Sequence, residues 1–190
     1  MKEQVIIFSA PSGSGKSTVV NHLLKTFDFF ELSISATSRA PRGTEKDGVE
    51  YYFITPEEFR KRIEKDMFVE YEEVYEDRFY GTLKSEVQRI WDCGHIILFD
   101  VDVKGGVNLK RYFGDKALSV FIQAPSVEEL RRRLESRATD SKEAIDERVA
   151  KAEEEMTYAP KFDRILINDD LQLCLAEAED IINGFADRKA

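Results

Sequence analysis

The chain opens on an unbroken apolar run, Val5-Ile6-Ile7-Phe8, with the length and branching of a parallel strand buried on both faces. Beyond the polar stretch 9–18, Val19, Val20, Leu23, Leu24 and Phe27 recur at helical spacing and predict an amphipathic helix. The alternation resumes later. Apolar runs at 96–99, 117–122 and 164–167 predict three more buried strands, with helices over 105–112, from 127, and over 171–185. Another helix, carrying Arg148, follows the polar break Thr139-Asp140-Ser141. Strands alternating with helices argue for an α/β fold, a parallel sheet flanked by helices.

Residues 33–85 interrupt that pattern. The segment 33–53 is hydroxyl-rich and punctuated by Pro and Gly, and it reads as strand, loop, strand. Thr55-Pro56-Glu57-Glu58 combines a hydroxyl N-cap, a proline at the first helical position and a glutamate three residues after the cap. A helix over 55–65 follows, with Phe59 and Ile63 on its apolar stripe. Residues 67–75 read as an element of a strand pair, and Phe79-Tyr80-Gly81-Thr82 as a turn into a helix over 84–91. The expected organisation is one domain with a small strand-rich module inserted in it.

The polar stretch at the first strand–helix joint is Ala10-Pro11-Ser12-Gly13-Ser14-Gly15-Lys16-Ser17-Thr18. A helix N-terminus offers unpaired backbone N–H groups and partial positive charge to an anion. Gly13 and Gly15 allow positive φ and close backbone approach, Lys16 can reach β- and γ-phosphates, and Ser17 can offer its hydroxyl to Mg²⁺. The strict phosphate-loop pattern has glycine where Ala10 stands. Pro11 pushes Ala10 toward extended backbone, which alanine adopts readily, so positive φ is not needed there.

Other candidates sit further along. Arg39 and Arg42 could grip a phosphate through bidentate forks, and they fit a solvated basic turn equally well. Asp100 and Asp102 end a strand two residues apart and so project to one side, where carboxylates can order a Mg²⁺ hydration shell or a substrate-binding arginine. The alternative for Asp102 is a helix cap. Arg131, Arg132, Arg133, Arg137 and Arg148 form a basic group, although Glu128, Glu129 and Glu135 could absorb some of it as surface pairs.

A net charge of −9 weighs against non-specific nucleic-acid or anionic-membrane binding. No apolar segment approaches the ~20 residues of a membrane span, and a cytoplasmic protein is expected. Cys93 and Cys174 lack metal spacing and read as packing thiols, and His22 and His95 as structural residues.

Taken in order, these motifs resemble the guanylate kinase family over nearly the whole chain. Ala10-Pro11-Ser12-Gly13-Ser14-Gly15-Lys16-Ser17 resembles its phosphate loop, where Ala or Gly takes the first position. Ser35-x-x-x-Arg39-x-x-Arg42-x-x-Glu45, followed by Tyr51, resembles its GMP-binding signature. Glu70, Tyr80-Gly81-Thr82, Asp100-Val101-Asp102, the arginines at 133, 137 and 148, and Ile167-Asn168-Asp169-Asp170 come in the family's order. The loop between Val74 and Tyr80 is a residue longer than usual, which puts the Glu70–Tyr80 register in question.

The resemblance implies a three-layer phosphate-loop fold with core segments 1–32, 86–125 and 158–190, a GMP-binding module at 33–85 and a helical lid at 126–157. It implies transfer of the γ-phosphoryl group of ATP to GMP, with dGMP as a second acceptor, in purine nucleotide metabolism. Mg²⁺ is the implied cofactor. Arg39, Arg42, Tyr51 and Tyr80 would hold the GMP phosphate, and Ser35, Glu70, Thr82 and Asp102 would face the base. Lys16, Arg133, Arg137 and Arg148 would neutralise the transferring group. Residues 10–18 and Asn168 would bind ATP, with Asn168 at the adenine. Ser17, with Glu45 and Asp100 through water, would serve the metal, and Glu45 and Asp100 would also belong to the GMP site, where they order the acceptor arginines. Two further readings stay open: a kinase for another nucleoside monophosphate, and a non-catalytic peptide-binding relative.

Overall fold

Five parallel strands form the central sheet, in the order β2 (Phe30–Leu32), β7 (Ile96–Val101), β1 (Val5–Ser9), β8 (Ala117–Gln123) and β9 (Arg164–Ile167). The structure is a computed structural model describing residues 3–136 and 141–187. β1 lies between β7 and β8 and is buried throughout. The period of two along it sends alternate side chains to opposite faces. Ile6 and Phe8 pack with α1 (Lys16–Thr26) and α7 (Leu171–Asp187) through Val20, Leu23, Ala178 and Ile182. Val5 and Ile7 pack with α3 (Lys84–Asp92) and α4 (Val103–Phe113) through Val87, Ile90, Leu109 and Phe113. Two helical layers thus enclose one sheet, as the apolar runs predicted.

From β1 the chain leaves through α1 to β2 on one side, whereas β8 and β9 lie on the other. The carboxyl ends of β7, β1 and β8 therefore meet at a topological switch point, where open α/β sheets bind ligands.

A second sheet of four strands has the order β4 (Tyr52–Phe53), β3 (Ala36–Thr37), β6 (Arg78–Leu83), β5 (Phe68–Tyr75). Its β3–β6 and β5–β6 pairs are antiparallel, and β3–β4 is parallel. Phe59 of α2 (Pro56–Glu64) stacks on Phe68 and Phe79, with ring centroids 4.3 and 5.1 Å apart. Thr55 caps α2, its side chain accepting from the Glu58 N–H at 3.2 Å. Helices α5 (Val127–Ser136) and α6 (Lys142–Met156) share a small core of Leu130, Leu134, Ile145 and Val149.

The structure corrects four expectations. Residues 79–82 are not a turn but lie inside β6, where Gly81 lets β5 come close: a Cβ there would lie 2.7 Å from the Glu70 carbonyl oxygen. β2, three residues long, carries no periodic signal and was not anticipated. α4 begins at Val103 rather than 105 because the Asp102 carboxylate accepts from the Gly105 N–H at 2.7 Å. Cys93 is exposed, so only Cys174 packs in the core. No described helix is long and apolar enough to cross a membrane.

Candidate active site

The joint between β1 and α1 folds as its sequence requires. Gly13 and Gly15 have φ of 91° and 90°, and Gly15 is the left-handed residue preceding Lys16. Ala10 is absent from the positive-φ residues among those described, as expected of a residue before proline. Ser14 donates its N–H to the Pro11 carbonyl at 3.2 Å and closes the loop. Lys16 is ion-paired with Asp100 at the carboxyl end of β7. Burial lowers the Lys16 ammonium to about 8, against the pull of the Asp102 and Glu155 carboxylates.

Beside this cradle a cleft of about 310 Å³ opens between the two sheets. Ser35, Tyr51, Glu70, Tyr80, Asp100 and Asp102 all line it. Across β5–β6, Glu70 pairs with Thr82 and Tyr80 with Glu72. Register shifts between Phe68 and Glu70 and between Glu73 and Tyr75 flank these pairs, and the pairing gives the alignment left open by the sequence. Thr82 is fully buried and donates its hydroxyl to Glu70 Oε1 at 3.0 Å, so it meets the cleft only through Glu70. Burial raises the Glu70 carboxyl to about 7, with Asp102 and Glu72 pushing the same way and the Thr82 hydrogen bonds opposing.

Arg39 sits at one end of the cleft in a fixed orientation. Its two terminal nitrogens donate to the Glu45 carboxylate at 2.6 and 2.8 Å, and its Nε donates to the Tyr80 hydroxyl at 3.1 Å. The guanidinium lies 4.8 Å from the centre of the Tyr51 ring. Glu45 also accepts the Arg42 N–H at 2.8 Å, and Arg39 holds its carboxyl at about 2. Arg42 is exposed.

The remaining basic candidates are spread more widely. Arg133 donates to Glu129 at 2.7 Å and to the Asn168 carbonyl at 2.9 Å, so it bridges α5 to the end of β9. Arg148 is exposed on α6. Arg137 lies outside the described residues. Asn168 is buried and donates Nδ2 to the Ser14 carbonyl at 2.9 Å. Asp102 caps α4, as its helix-cap alternative had it, and also lines the cleft. Glu72 also lines the cleft and was missed; its spacing of two from Glu70, hence the same strand face, was the available signal.

For a metal, the chain offers the exposed Ser17 hydroxyl at the start of α1 and the Asp100 carboxylate. No cluster of three or more His, Cys, Asp or Glu able to hold an ion exists among the described residues. Such a sparse, hard-oxygen donor set fits Mg²⁺ held mainly by phosphate and water.

The guanylate kinase family model matches residues 2–184. Guanylate kinases of Bacteroides thetaiotaomicron and Porphyromonas gingivalis are 58% and 56% identical over 100% and 96% of this chain and 93% and 97% of their own length. A crystal structure of guanylate kinase from Anaplasma phagocytophilum superposes with a TM-score of 0.72 at 29% identity, covering 95% of this chain and 85% of that one.

Proposed function

We propose, from the premise that this chain belongs to the guanylate kinase family and transfers the γ-phosphoryl group of ATP to GMP, that the cleft between its sheets receives GMP and residues 10–18 receive the ATP phosphates. One observation carries the reading: six candidate GMP residues line a single cleft whose Asp100 is paired with Lys16 of the cradle.

Guanine presents N1–H and N2–H₂ donors beside the O6 acceptor. An ionised Glu70, braced by Thr82, accepts both donors, and the Ser35 hydroxyl donates to O6. Asp102 faces the same base from the α4 cap. Adenine would set an acceptor nitrogen against the Glu70 carboxylate and leave a half-buried charge unpaired, which is the strong form of base discrimination. The GMP phosphate lies against Arg39, Arg42, Tyr51 and Tyr80, and Glu45 keeps the Arg39 fork aimed.

The acceptor oxygen needs no side-chain base, since a phosphate monoester has its second pKa at about 6. Catalysis is positioning and charge neutralisation. Lys16 leaves Asp100 for the β- and γ-oxygens, and Arg133, Arg137 and Arg148 approach the phosphoryl group as the lid at 126–157 and the module at 33–85 close to exclude water. Asn168 lies on the adenine side. Mg²⁺, when bound, supplies further neutralisation of the phosphate charge; Ser17 would hold it, with Asp100 and Glu45 through water. The acidic net charge supports free nucleotides rather than nucleic acid as partners. The activity suits cytoplasmic purine nucleotide metabolism.

A coupled ADP-release assay with GMP, dGMP, AMP, UMP and CMP, with and without Mg²⁺, tests this. GMP and dGMP should be used only with the metal, and Glu70→Ala should damage GMP use most. Equal turnover of AMP, or Glu70→Ala with unchanged GMP kinetics, would remove the assignment of the cleft.

A further inference from the structure

Asn168 is placed to act on the phosphate loop itself. It is only 6% exposed, and its main-chain N–H, main-chain carbonyl and side-chain nitrogen engage three different parts of the fold. Its main-chain N–H donates to the Gln123 carbonyl at the end of β8 at 2.9 Å. Its main-chain carbonyl accepts Arg133 Nη2 of α5 at 2.9 Å. Its side-chain Nδ2 donates to the Ser14 carbonyl at 2.9 Å, across 154 residues of sequence. A carbonyl can only accept, so the amide must turn its NH₂ group toward Ser14. The fit leaves no slack, because a Cβ on Gly15 would collide with Asn168 Nδ2. Nearby, a Cβ on Gly13 would touch Leu134 of α5 at 3.1 Å.

We infer that Asn168 is a positioning residue for the phosphate loop, acting through the Ser14 carbonyl and in addition to any contact with the base of ATP. In a trans peptide the carbonyl of one residue and the N–H of the next point in opposite directions. Holding the Ser14 carbonyl inward against Asn168 therefore aims the Gly15 N–H outward, toward the anion that the loop binds. Arg133 steadies the clamp from α5, where Glu129 fixes its other edge at 2.7 Å. The order of the loop is thus set in advance of nucleotide arrival, which is the preorganisation that phosphoryl transfer depends on. This inference rests on residues 10–18 being the phosphate cradle.

The probe is Mg²⁺-tripolyphosphate, which has the phosphate chain of ATP and no base. Its affinity and that of ATP are measured by calorimetry for the native chain, Asn168→Asp, Asn168→Ser and Lys16→Ala, with thermal melts on each. Asn168→Asp keeps the shape but sets a carboxylate against the Ser14 carbonyl. Asn168→Ser removes the amide without adding charge and covers the case of a poorly folded Asp variant. Both should weaken tripolyphosphate by about ten- to hundredfold and ATP by at least as much, and lower kcat with the KM for GMP unchanged. ATP binding that weakens while tripolyphosphate binding stays native would confine Asn168 to the base and overturn the inference. If Lys16→Ala also leaves tripolyphosphate binding native, the cradle assignment itself falls; if only the Asn168 variants do, the inference falls alone.

Discussion

Thr82 donates its hydroxyl to Glu70 at 3.0 Å from directly across the β5–β6 pair. That bond fixes one carboxylate oxygen at the cleft and leaves the rest of the group to a ligand. It also fails to offset the burial of the charge, since the Glu70 carboxyl stands at about 7 against an ordinary 4.5. The folded chain holds this proton more tightly than the unfolded chain, so stability falls as pH rises between those values. Glu70→Gln is therefore expected to be more stable than the native chain at pH 8, by on the order of 1–3 kcal/mol, with the difference gone near pH 4. Denaturant melts across that range measure it. Binding runs the other way: guanosine, which carries no titrating phosphate, should bind more weakly to the native chain as pH falls through 7, and Glu70→Gln should lack that step.

Gly81 supplies the close approach that puts Glu70 opposite Thr82. A methyl group there would lie 2.7 Å from the Glu70 carbonyl oxygen and 2.9 Å from Tyr71 Cβ, so β5 must move away. Gly81→Ala should raise the KM for GMP by about tenfold or more while leaving the KM for ATP near native, as a 1 Å misplacement implies. Initial-rate kinetics in both substrates separate the two.

Arg39 is useful because of its shape. Its fork meets Glu45 with two hydrogen bonds while Nε meets Tyr80, a geometry lysine cannot copy. Arg39→Lys should weaken GMP by about tenfold or more but affect guanosine little. Competition binding with the two ligands checks it.

Phe59 holds the small sheet together from α2, fully buried against Phe68 and Phe79. Phe59→Ala should destabilise by about 3–5 kcal/mol. The loss should appear first as faster amide exchange in residues 36–83, with the five-stranded sheet protected longer.

Much of this was readable because it is local. Residues 10–18 need only a strand before, a helix after, and glycines where φ is positive, and all three are contiguous in sequence. The apolar period identified four of the five central strands; β2 escaped because three residues beside Phe27 and Phe29 show no period. Gly81 misled for a physical reason: glycine marks turns and close backbone approaches alike, and only the partner strand tells them apart. The pairings that link distant segments were beyond the sequence. Arg133 reaching the Asn168 carbonyl, and Asn168 reaching Ser14, depend on how α5 and β9 pack around the loop.

The central claim is that the Glu70 carboxylate reads the guanine edge. IMP tests it most directly, because it keeps N1–H and O6 but lacks the N2 amine. The ratio of kcat/KM for GMP over IMP should be large in the native chain and fall by about tenfold or more in Glu70→Gln, where an amide no longer accepts both donors. A ratio that is the same in both proteins would contradict the account.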